Sequence, residues 1–548
     1  MDDAEKAALR AKYEKPPLSF SIPLPPWLSS PQLGVWVVCL MLLVGYLFSL
    51  KMPLQRSDDF YKVIGGWSLA MGKGYCDISR PDAPFLTKYP PLGSLVMAPF
   101  MSLVGDFLRP LRLLSMFSYI ASIPLIYRLL ITRTNHHRAL LILVLAGLNP
   151  LTLRILNFEG NGGIMILLVV AAITILERVR DTSPNNATGI WPGILLATFF
   201  YAHRTGIVFG AGSILYLFFV LRQRRLAIIT ALLFGTLAFP WLLRSYVVSG
   251  HWISPEYEAE IVGRSTEGAA TQTPGLTSLL QHMLSEASQF PTQVGYTLFP
   301  WSRASGGQPW PFLTAHGFVW VATFSEWMIA ILVTIGWIKA LRARRFTEMY
   351  LVLHSLMLLV FFFNFQYFMG FLPWFYLYLA DGAQQVLGKL WQRGARIGFV
   401  AILLILLAKD TKAFWLMPLT FQDRDLRWGW VAKVVPEREA VYYLNLGNYA
   451  FSQMRYFDSG RRMAVGITVA ELESLLADPK HTAHWMCLPK TSLQNTSLQR
   501  AGWQPIVVEP DSIMPRAEQL KDLELSAAQQ AFLDRMEPPQ ALWRRPVE

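Results

Sequence analysis

A chain of 548 residues with 53% hydrophobic and only 16% charged side chains, and a mean hydropathy of +0.33, has the composition of a protein that crosses a membrane many times rather than of a soluble enzyme. The net charge of +12 raises nucleic acid as a partner, but its distribution excludes that reading: the basic residues fall in clusters between alternate apolar runs, as topology determinants do. The three cysteines have no Cys-x-x-Cys or Cys/His spacing of the kind that holds a metal.

Residues 1–32 are partly acidic and lack a short basic leader with a small-residue cleavage site, so the first apolar run reads as a retained anchor. A spanning helix needs roughly 20 mostly apolar residues. By that rule about eleven spans are predicted, at 33–50, 109–130, 139–157, 161–178, 188–203, 205–221, 226–247, 316–338, 349–371, 373–388 and 397–411. Basic clusters at Lys6–Lys15, Arg128–Arg138, Arg178–Arg180, Arg222–Arg225, Lys339–Arg345 and Lys389–Arg396 mark loops of one parity as cytoplasmic. This predicts a multi-pass protein of a bacterial inner membrane, N-terminus inside, with the loops 51–108 and 249–315 and the segment 412–548 outside.

The loop 51–108 has its own pattern. From Asp58 to Gly72, the residues Phe60, Ile64, Trp67 and Met71 recur at helical spacing, which suits a helix lying on the bilayer surface. Gly72 and Gly74 end it, Pro90-Pro91 stop the extended stretch that follows, and 92–104 is a second apolar helix too short to span comfortably. In the loop 249–315, residues 275–289 look amphipathic and Gly306-Gly307 marks a flexible point; long loops of this kind often serve as lids or binding elements. Beyond 411 the composition changes to that of a small α/β domain. Strands are predicted at 439–446 and 503–508, and capping boxes start helices at Thr468 and Ser526. Cys76 and Cys487 both fall outside, where a disulfide or two free thiols are equally compatible with the sequence.

Ionisable groups in or beside spans cost several kcal/mol at the bilayer centre and are functional candidates by default. On the outer side these are Arg56, Asp58, Asp59, Lys88, Glu159, His203, Arg204, Arg244 and His251. The carboxylates can act as bases or hold a divalent cation. Lys88, Arg204 and Arg244 can hold an anion, and an Arg fork binds phosphate bidentately. One base among several anion clamps suits a reaction in which a deprotonated hydroxyl attacks a sugar carbon and a lipid phosphate departs, because a phosphate leaving group needs charge stabilisation more than protonation. Structural readings stand beside these. Asp58 and Asp59 also suit the first turn of a helix, Lys88 a snorkelling side chain, Glu159 a turn, Arg204 and Arg244 interfacial anchors, and His203 and His251 packing or hydrogen-bonding positions.

Together these residues resemble the polyprenyl-phosphate-dependent membrane glycosyltransferases of the GT-C fold, the group that includes aminoarabinose transferase and the protein O-mannosyltransferases. The resemblance runs over most of 33–411. It consists of an acidic pair followed by a Tyr and Gly-x-Gly-Tyr (Asp58, Asp59, Tyr61, Gly72-Lys73-Gly74-Tyr75), Tyr-Pro-Pro-Leu at Tyr89–Leu92, an acid after the third span (Glu159), an Arg ending the fifth (Arg204), and Pro-Trp-x-x-Arg ending the seventh (Pro240–Arg244). It implies a GT-C module with an extracytoplasmic α/β domain, Asp58 as catalytic base and a polyprenyl-phosphate sugar donor bound at the outer leaflet, with inversion at the anomeric carbon. On that reading Asp59 assists, Lys88, Tyr89, Arg204 and Arg244 bind the donor phosphate, and Glu159, Tyr61 and His251 contact substrate. Two departures are that the second acid, often Glu in relatives, is Asp59, and that a usual Arg-Tyr appears as Gln366-Tyr367.

The acceptor, whether lipid, glycan or protein, is not encoded in these motifs, and neither is a metal requirement. Two rival readings remain: a transporter or flippase of a lipid-linked sugar, which should place polar residues on broken helices near the midplane, and a non-catalytic scaffold whose outer domain binds a partner.

Overall fold

The computed structural model describes residues 31–47, 57–78, 83–87, 89–104, 108–158, 162–181, 190–252, 276–299, 319–360 and 365–388, the stretches 441–444, 464–467, 485–489, 498–508 and 540–544, and a few single residues. The chain groups into two units. The first comprises Met1–Leu50, Thr87–Gly93 and Arg109–Thr411; the second comprises Lys51–Leu86, Ser94–Leu108 and Lys412–Glu548.

The first unit is helical. Its elements in chain order are α1 (Pro31–Leu47), α4 (Leu108–Ile131), α5 (His136–Gly147), α6 (Pro150–Phe158), α7 (Gly162–Asp181), α8 (Ile190–Ala202), α9 (Gly206–Leu215, closing in a π turn Tyr216–Val220), α10 (Arg224–Ser249), α11 (Leu276–Leu298), α12 (Val319–Leu341), α13 (Phe346–Val360), a 3₁₀ helix (Phe365–Phe371) and α14 (Leu372–Leu387). The labels α2 and α3 fall to Ser57–Ala70 and Leu92–Val104. Among the described residues, four helices are long and apolar enough to cross a membrane: Leu111–Ile131, Gly162–Asp181, Arg224–Ser249 and Val319–Leu341. The other apolar helices are shorter, at 10–17 residues, and the predicted span 397–411 lies almost wholly outside the described residues. Large apolar side chains stay exposed along α10 (Leu232, Phe239, Val247) and α12 (Trp320, Phe324, Ile331), as a lipid-facing surface requires.

The predicted span 139–157 is two helices. Pro150 has no N–H to continue α5 and restrains Asn149 to non-helical backbone. Asn149 is fully buried, and its side chain makes good the broken ladder. Nδ2 donates to the Thr297 carbonyl (2.8 Å) and the Tyr376 hydroxyl oxygen (3.1 Å), and Oδ1 accepts from Leu151 N–H (2.9 Å). Tyr376 in turn donates to Leu298 O (2.8 Å), so one asparagine ties α6 to α11 and α14.

The most extensively packed helix pair, α12 and α14, meets across glycines. A Cβ on Gly336 would overlap the Tyr378 carbonyl, and one on Gly382 the Leu332 carbonyl. Small residues at such contacts let backbones approach where lipid offers no hydrophobic drive. Gly336→Ala is expected to lower stability by about 1–3 kcal/mol through overpacking, read as a lower thermal midpoint in detergent. An unchanged midpoint would contradict this account of the contact.

At the end of the first unit opposite His203 along α8–α9, the helix ends are joined by buried charge. Arg133 lies between α4 and α5 and ion-pairs with Glu348 through Nη1 and with Glu177 through Nη2 (3.3 Å). The Tyr378 hydroxyl donates to Glu348 Oε1 (2.8 Å), Phe346 N–H donates to Glu177 Oε1 (3.2 Å), and Arg345 Nη1 donates to Thr132 Oγ1 (2.7 Å). These contacts join α4, α7, α13 and α14.

In the second unit, α2 and α3 pack through small residues. Ser94 Oγ donates to the Lys62 carbonyl (2.7 Å), Gly65 leaves no room for a Cβ beside Tyr75, and a Cβ on Gly66 would lie 3.1 Å from the Ser94 carbonyl. The Gly-Lys-Gly-Tyr motif is a helix stop. Gly72 (φ +71°) and Gly74 (φ +83°) take left-handed backbone, Gly72 N–H reaches Leu69 O and Lys73 N–H reaches Ser68 O, both at 3.0 Å. The turn delivers Tyr75 to its buried place, and Cys76 and Phe85 then bridge antiparallel. Of the apolar face predicted for this helix, Ile64 is fully buried, but Met71 lies beyond the last turn and is exposed. The buried residues are instead Lys62, Val63, Ile64, Gly65, Gly66 and Ser68.

The described strands of 412–548 form one mixed sheet, order β2-β1-β3-β5-β4: β1 Val441–Leu444, β2 Ala464–Ile467, β3 Trp485–Pro489, β4 Gln504–Val508 and β5 Gln540–Arg544. β1 pairs parallel with β2 and β3, while β5 pairs antiparallel with β3 and β4. Trp485, Met486 and Cys487 of central β3 are buried, and Pro505 sits on edge strand β4, where its missing N–H is tolerated. The helices predicted at the two capping boxes fall almost wholly outside the described residues. Among the described residues, Cys39, Cys76 and Cys487 are buried thiols, and no disulfide joins Cys76 to Cys487.

Candidate functional site

Asp58 and Asp59 occupy the second and third positions of α2, and Tyr61, half-buried, lies less than a turn further on. The backbone places the acidic pair in the first turn of that helix, in the second unit. Lys88 and Glu159 lie outside the described residues. So does the side chain of Tyr367, in the 3₁₀ helix.

In the first unit, Arg204 stands in the tight turn between α8 and α9. His203 N–H still bonds to Phe199 O (2.8 Å), while Gly206 N–H turns back to His203 O (2.9 Å). Gly206 is required here because a Cβ would overlap the backbone of Phe200. The Arg204 guanidinium donates through Nη2 to the Thr87 carbonyl (2.7 Å) and so fastens the segment that enters Lys88-Tyr89-Pro90-Pro91. Tyr89 and Pro90 are buried next to it along the chain. Two motifs that are 115 residues apart in the sequence, the Tyr-Pro-Pro and the Arg of the fifth span, are thus brought together.

Arg244 lies one turn after Pro240 in α10, with its guanidinium 5.0 Å from the centroid of the buried Trp241 ring, which gives the Pro-Trp-x-x-Arg motif its spacing: Trp and Arg three apart share one helix face. His251 is exposed just beyond the helix, where its N–H donates to Ser249 Oγ (3.3 Å) and its carbonyl accepts from the same hydroxyl (3.2 Å). Beside it Tyr246 stacks on Trp252 at 4.7 Å.

One feature is absent from the sequence-based candidates. A cavity of about 50 Å³ in the first unit is walled by apolar side chains of α6, α7, α8 and α9 and by the 3₁₀ helix, and four polar side chains reach it: His203, Thr205, Tyr350 and His354. His203 Nδ1 accepts from Thr205 N–H (3.3 Å) and meets Thr205 Oγ1 (2.8 Å). The Tyr350 hydroxyl meets His354 Nδ1 (3.2 Å), and His354 is buried. The available signal was an imidazole at position 354 within the apolar run 350–360, an ionisable group inside a predicted span. Among the described residues, no three His, Cys, Asp or Glu side chains gather as a metal site.

Residues 88–244 match the family model described as dolichyl-phosphate-mannose-protein mannosyltransferase. The matched range opens on Lys88 of the Tyr-Pro-Pro segment and closes on Arg244. No curated protein matches the chain. Among solved structures, it is similar to ArnT from Cupriavidus metallidurans bound to undecaprenyl phosphate, with 13% identity and a TM-score of 0.48 over 86% of this chain and 96% of that one. It is also similar to the archaeal oligosaccharyltransferase AglB from Archaeoglobus fulgidus in complex with an inhibitory peptide and a dolichol-phosphate, with 13% identity and a TM-score of 0.47 over 84% of this chain and 70% of that one. The chain resembles the GT-C membrane glycosyltransferases that use polyprenyl-phosphate donors, and the family match at 88–244 falls on the segment that carries most of the motifs.

Proposed function

We propose that this chain is an inverting glycosyltransferase that moves a sugar from a polyprenyl-phosphate donor to an acceptor hydroxyl at the outer face of the cytoplasmic membrane. The observation that carries the reading is the family match, whose bounds coincide with two of the motifs read from the residues. Asp58 takes the acceptor proton as the hydroxyl oxygen attacks the anomeric carbon. The bond from that carbon to the phosphate oxygen breaks, and the phosphate leaves with the electron pair. Lys88, Arg204, Arg244 and the Tyr89 hydroxyl hold the growing negative charge, which is the larger electrostatic demand of this step. The bond from Arg204 to Thr87 O supports this assignment, because it fixes one guanidinium nitrogen beside the segment that carries Lys88 and Tyr89. Asp59 orients the acceptor or holds a divalent cation, and Glu159, Tyr61 and His251 contact sugar or acceptor.

The transporter reading gains one observation, the break at Asn149 within a predicted span. Both ends of that amide are engaged with fixed protein groups, which suits a sealed joint better than a site for an ion or substrate. Mass spectrometry of envelope lipids and glycoconjugates, with and without the gene, tests the enzyme reading. One glycoform should vanish while its lipid-linked donor accumulates. An unchanged glycan profile would sink it.

A further inference from the structure

We propose that two arginine-bearing turns, at the end of the first unit opposite His203, bind the phosphate headgroup of an anionic lipid in the leaflet that the basic loops mark as cytoplasmic. One turn leads from the π turn after α9 into α10 and carries Arg222, Arg224 and Arg225. The other joins α12 to α13 and carries Arg342 and Arg344. All five are exposed. The Tyr216 hydroxyl donates to the Arg344 carbonyl (3.1 Å) and the Tyr216 ring meets Phe346 at 5.2 Å, so the two turns are fastened side by side.

The backbone sets these turns apart from ordinary topology signals. Arg222 (φ +57°) and Arg344 (φ +48°) take left-handed backbone, which glycine adopts freely at helix ends and other residues seldom do. Neighbouring bonds hold it: Leu221 N–H reaches Tyr216 O (3.0 Å), Gln223 N–H reaches Leu217 O (2.9 Å) and Arg344 N–H reaches Leu341 O (3.0 Å). Two helix ends that glycine would close without strain each carry arginine instead. Strain retained in this way points to a use for the side chain.

Neither turn carries a carboxylate of its own: residues 216–225 and 340–346 contain no Asp or Glu. Glu177 and Glu348, which pack beside the second turn, are buried and bonded to Arg133. Planar guanidinium forks suit phosphate. Position favours a lipid over a free ion. Arg224 opens one membrane-length helix and Arg342 directly follows another, which sets both at headgroup level. Phe219, Ile228 and Ile338, each within about a turn of one of these arginines, are exposed. Cationic forks beside bare apolar surface match a phosphate joined to acyl chains.

The test measures binding of phosphatidylglycerol and of phosphatidylcholine to the purified full chain in nonionic detergent. The wild-type protein should favour phosphatidylglycerol by on the order of tenfold or more, and excess inorganic phosphate should not displace it. Arg222→Gly with Arg344→Gly should lose that preference, while the thermal midpoint in lipid-free detergent stays at or above wild type because glycine relieves the strain. Arg225→Gln with Arg342→Gln, which leaves the strained positions alone, should lose it too. Arg128→Gln with Arg178→Gln, an equal loss of exposed charge elsewhere on the chain, should keep it. Equal affinity for the two lipids, an equal loss in all three variants, or displacement by inorganic phosphate would overturn the inference. Each of these outcomes leaves the glycosyltransferase reading intact.

Discussion

Asp58→Asn is expected to abolish sugar transfer, by a factor on the order of 10³, while the protein still folds and binds polyprenyl phosphate. The substitution keeps the shape of the side chain and removes only its charge and basicity. Two accounts of this residue make opposite demands. As an ordinary acid in the first turn of α2, Asp58 would interact with the helix dipole, worth about 0.3–1 kcal/mol; its loss would shift the thermal midpoint slightly and leave transfer alone. As the base, it matters only when the acceptor hydroxyl loses its proton, so the turnover number falls and the midpoint stays. Asp59→Asn separates the pair further. A residue that orients the acceptor should cost less than the base, so transfer should fall but survive. Full activity in Asp58→Asn would refute the assignment.

Glu348→Ala is expected to destabilise the first unit by about 3–5 kcal/mol, the range for removing one member of a buried pair. Glu348 and Arg133 expose only 2% and 7% of their side chains, so solvent screens them little. Burial by itself lowers the Arg133 affinity for its proton; Glu348 and Glu177 more than reverse this, and the guanidinium is held above its ordinary value. Without Glu348, Arg133 keeps the longer contact to Glu177 and a hydrogen bond to Thr347 Oγ1 (3.4 Å), and the Tyr378 hydroxyl loses its acceptor. Glu348→Gln, which keeps the shape and an acceptor for Tyr378, should cost less. Thermal unfolding in detergent reads both variants, and a midpoint for Glu348→Ala equal to the wild type would contradict the clamp.

Much of this was legible in the sequence because apolar runs and glycine-proline punctuation act locally. The helices at 162–181, 224–249 and 319–341 follow their apolar runs within a few residues, and Gly72 and Gly74 end α2 where the pattern stops. The strands 441–444 and 504–508 fall inside their predicted ranges. What escaped depends on distant partners. The run 139–157 is apolar enough to read as one span, and its break is visible only as Asn149-Pro150, whose meaning comes from Thr297 and Tyr376. His354 was hidden in an apolar run because its relevance lies in a cavity built from five other elements. Arg204 was legible as a candidate from its place at a helix end, but its anchoring of Thr87 was not. The basic cluster around Arg133 reads correctly as a loop, yet the carboxylates that fix it lie 44 and 215 residues away.

The most direct test of the central claim is to reconstitute the purified chain in liposomes with a polyprenyl-phosphate sugar labelled in the sugar, together with an envelope extract as acceptor. The account predicts that label moves covalently onto an acceptor and that free polyprenyl phosphate appears in equal amount, with neither event in Asp58→Asn. Movement of intact labelled donor across the bilayer, with no covalent transfer and no released polyprenyl phosphate, would contradict it.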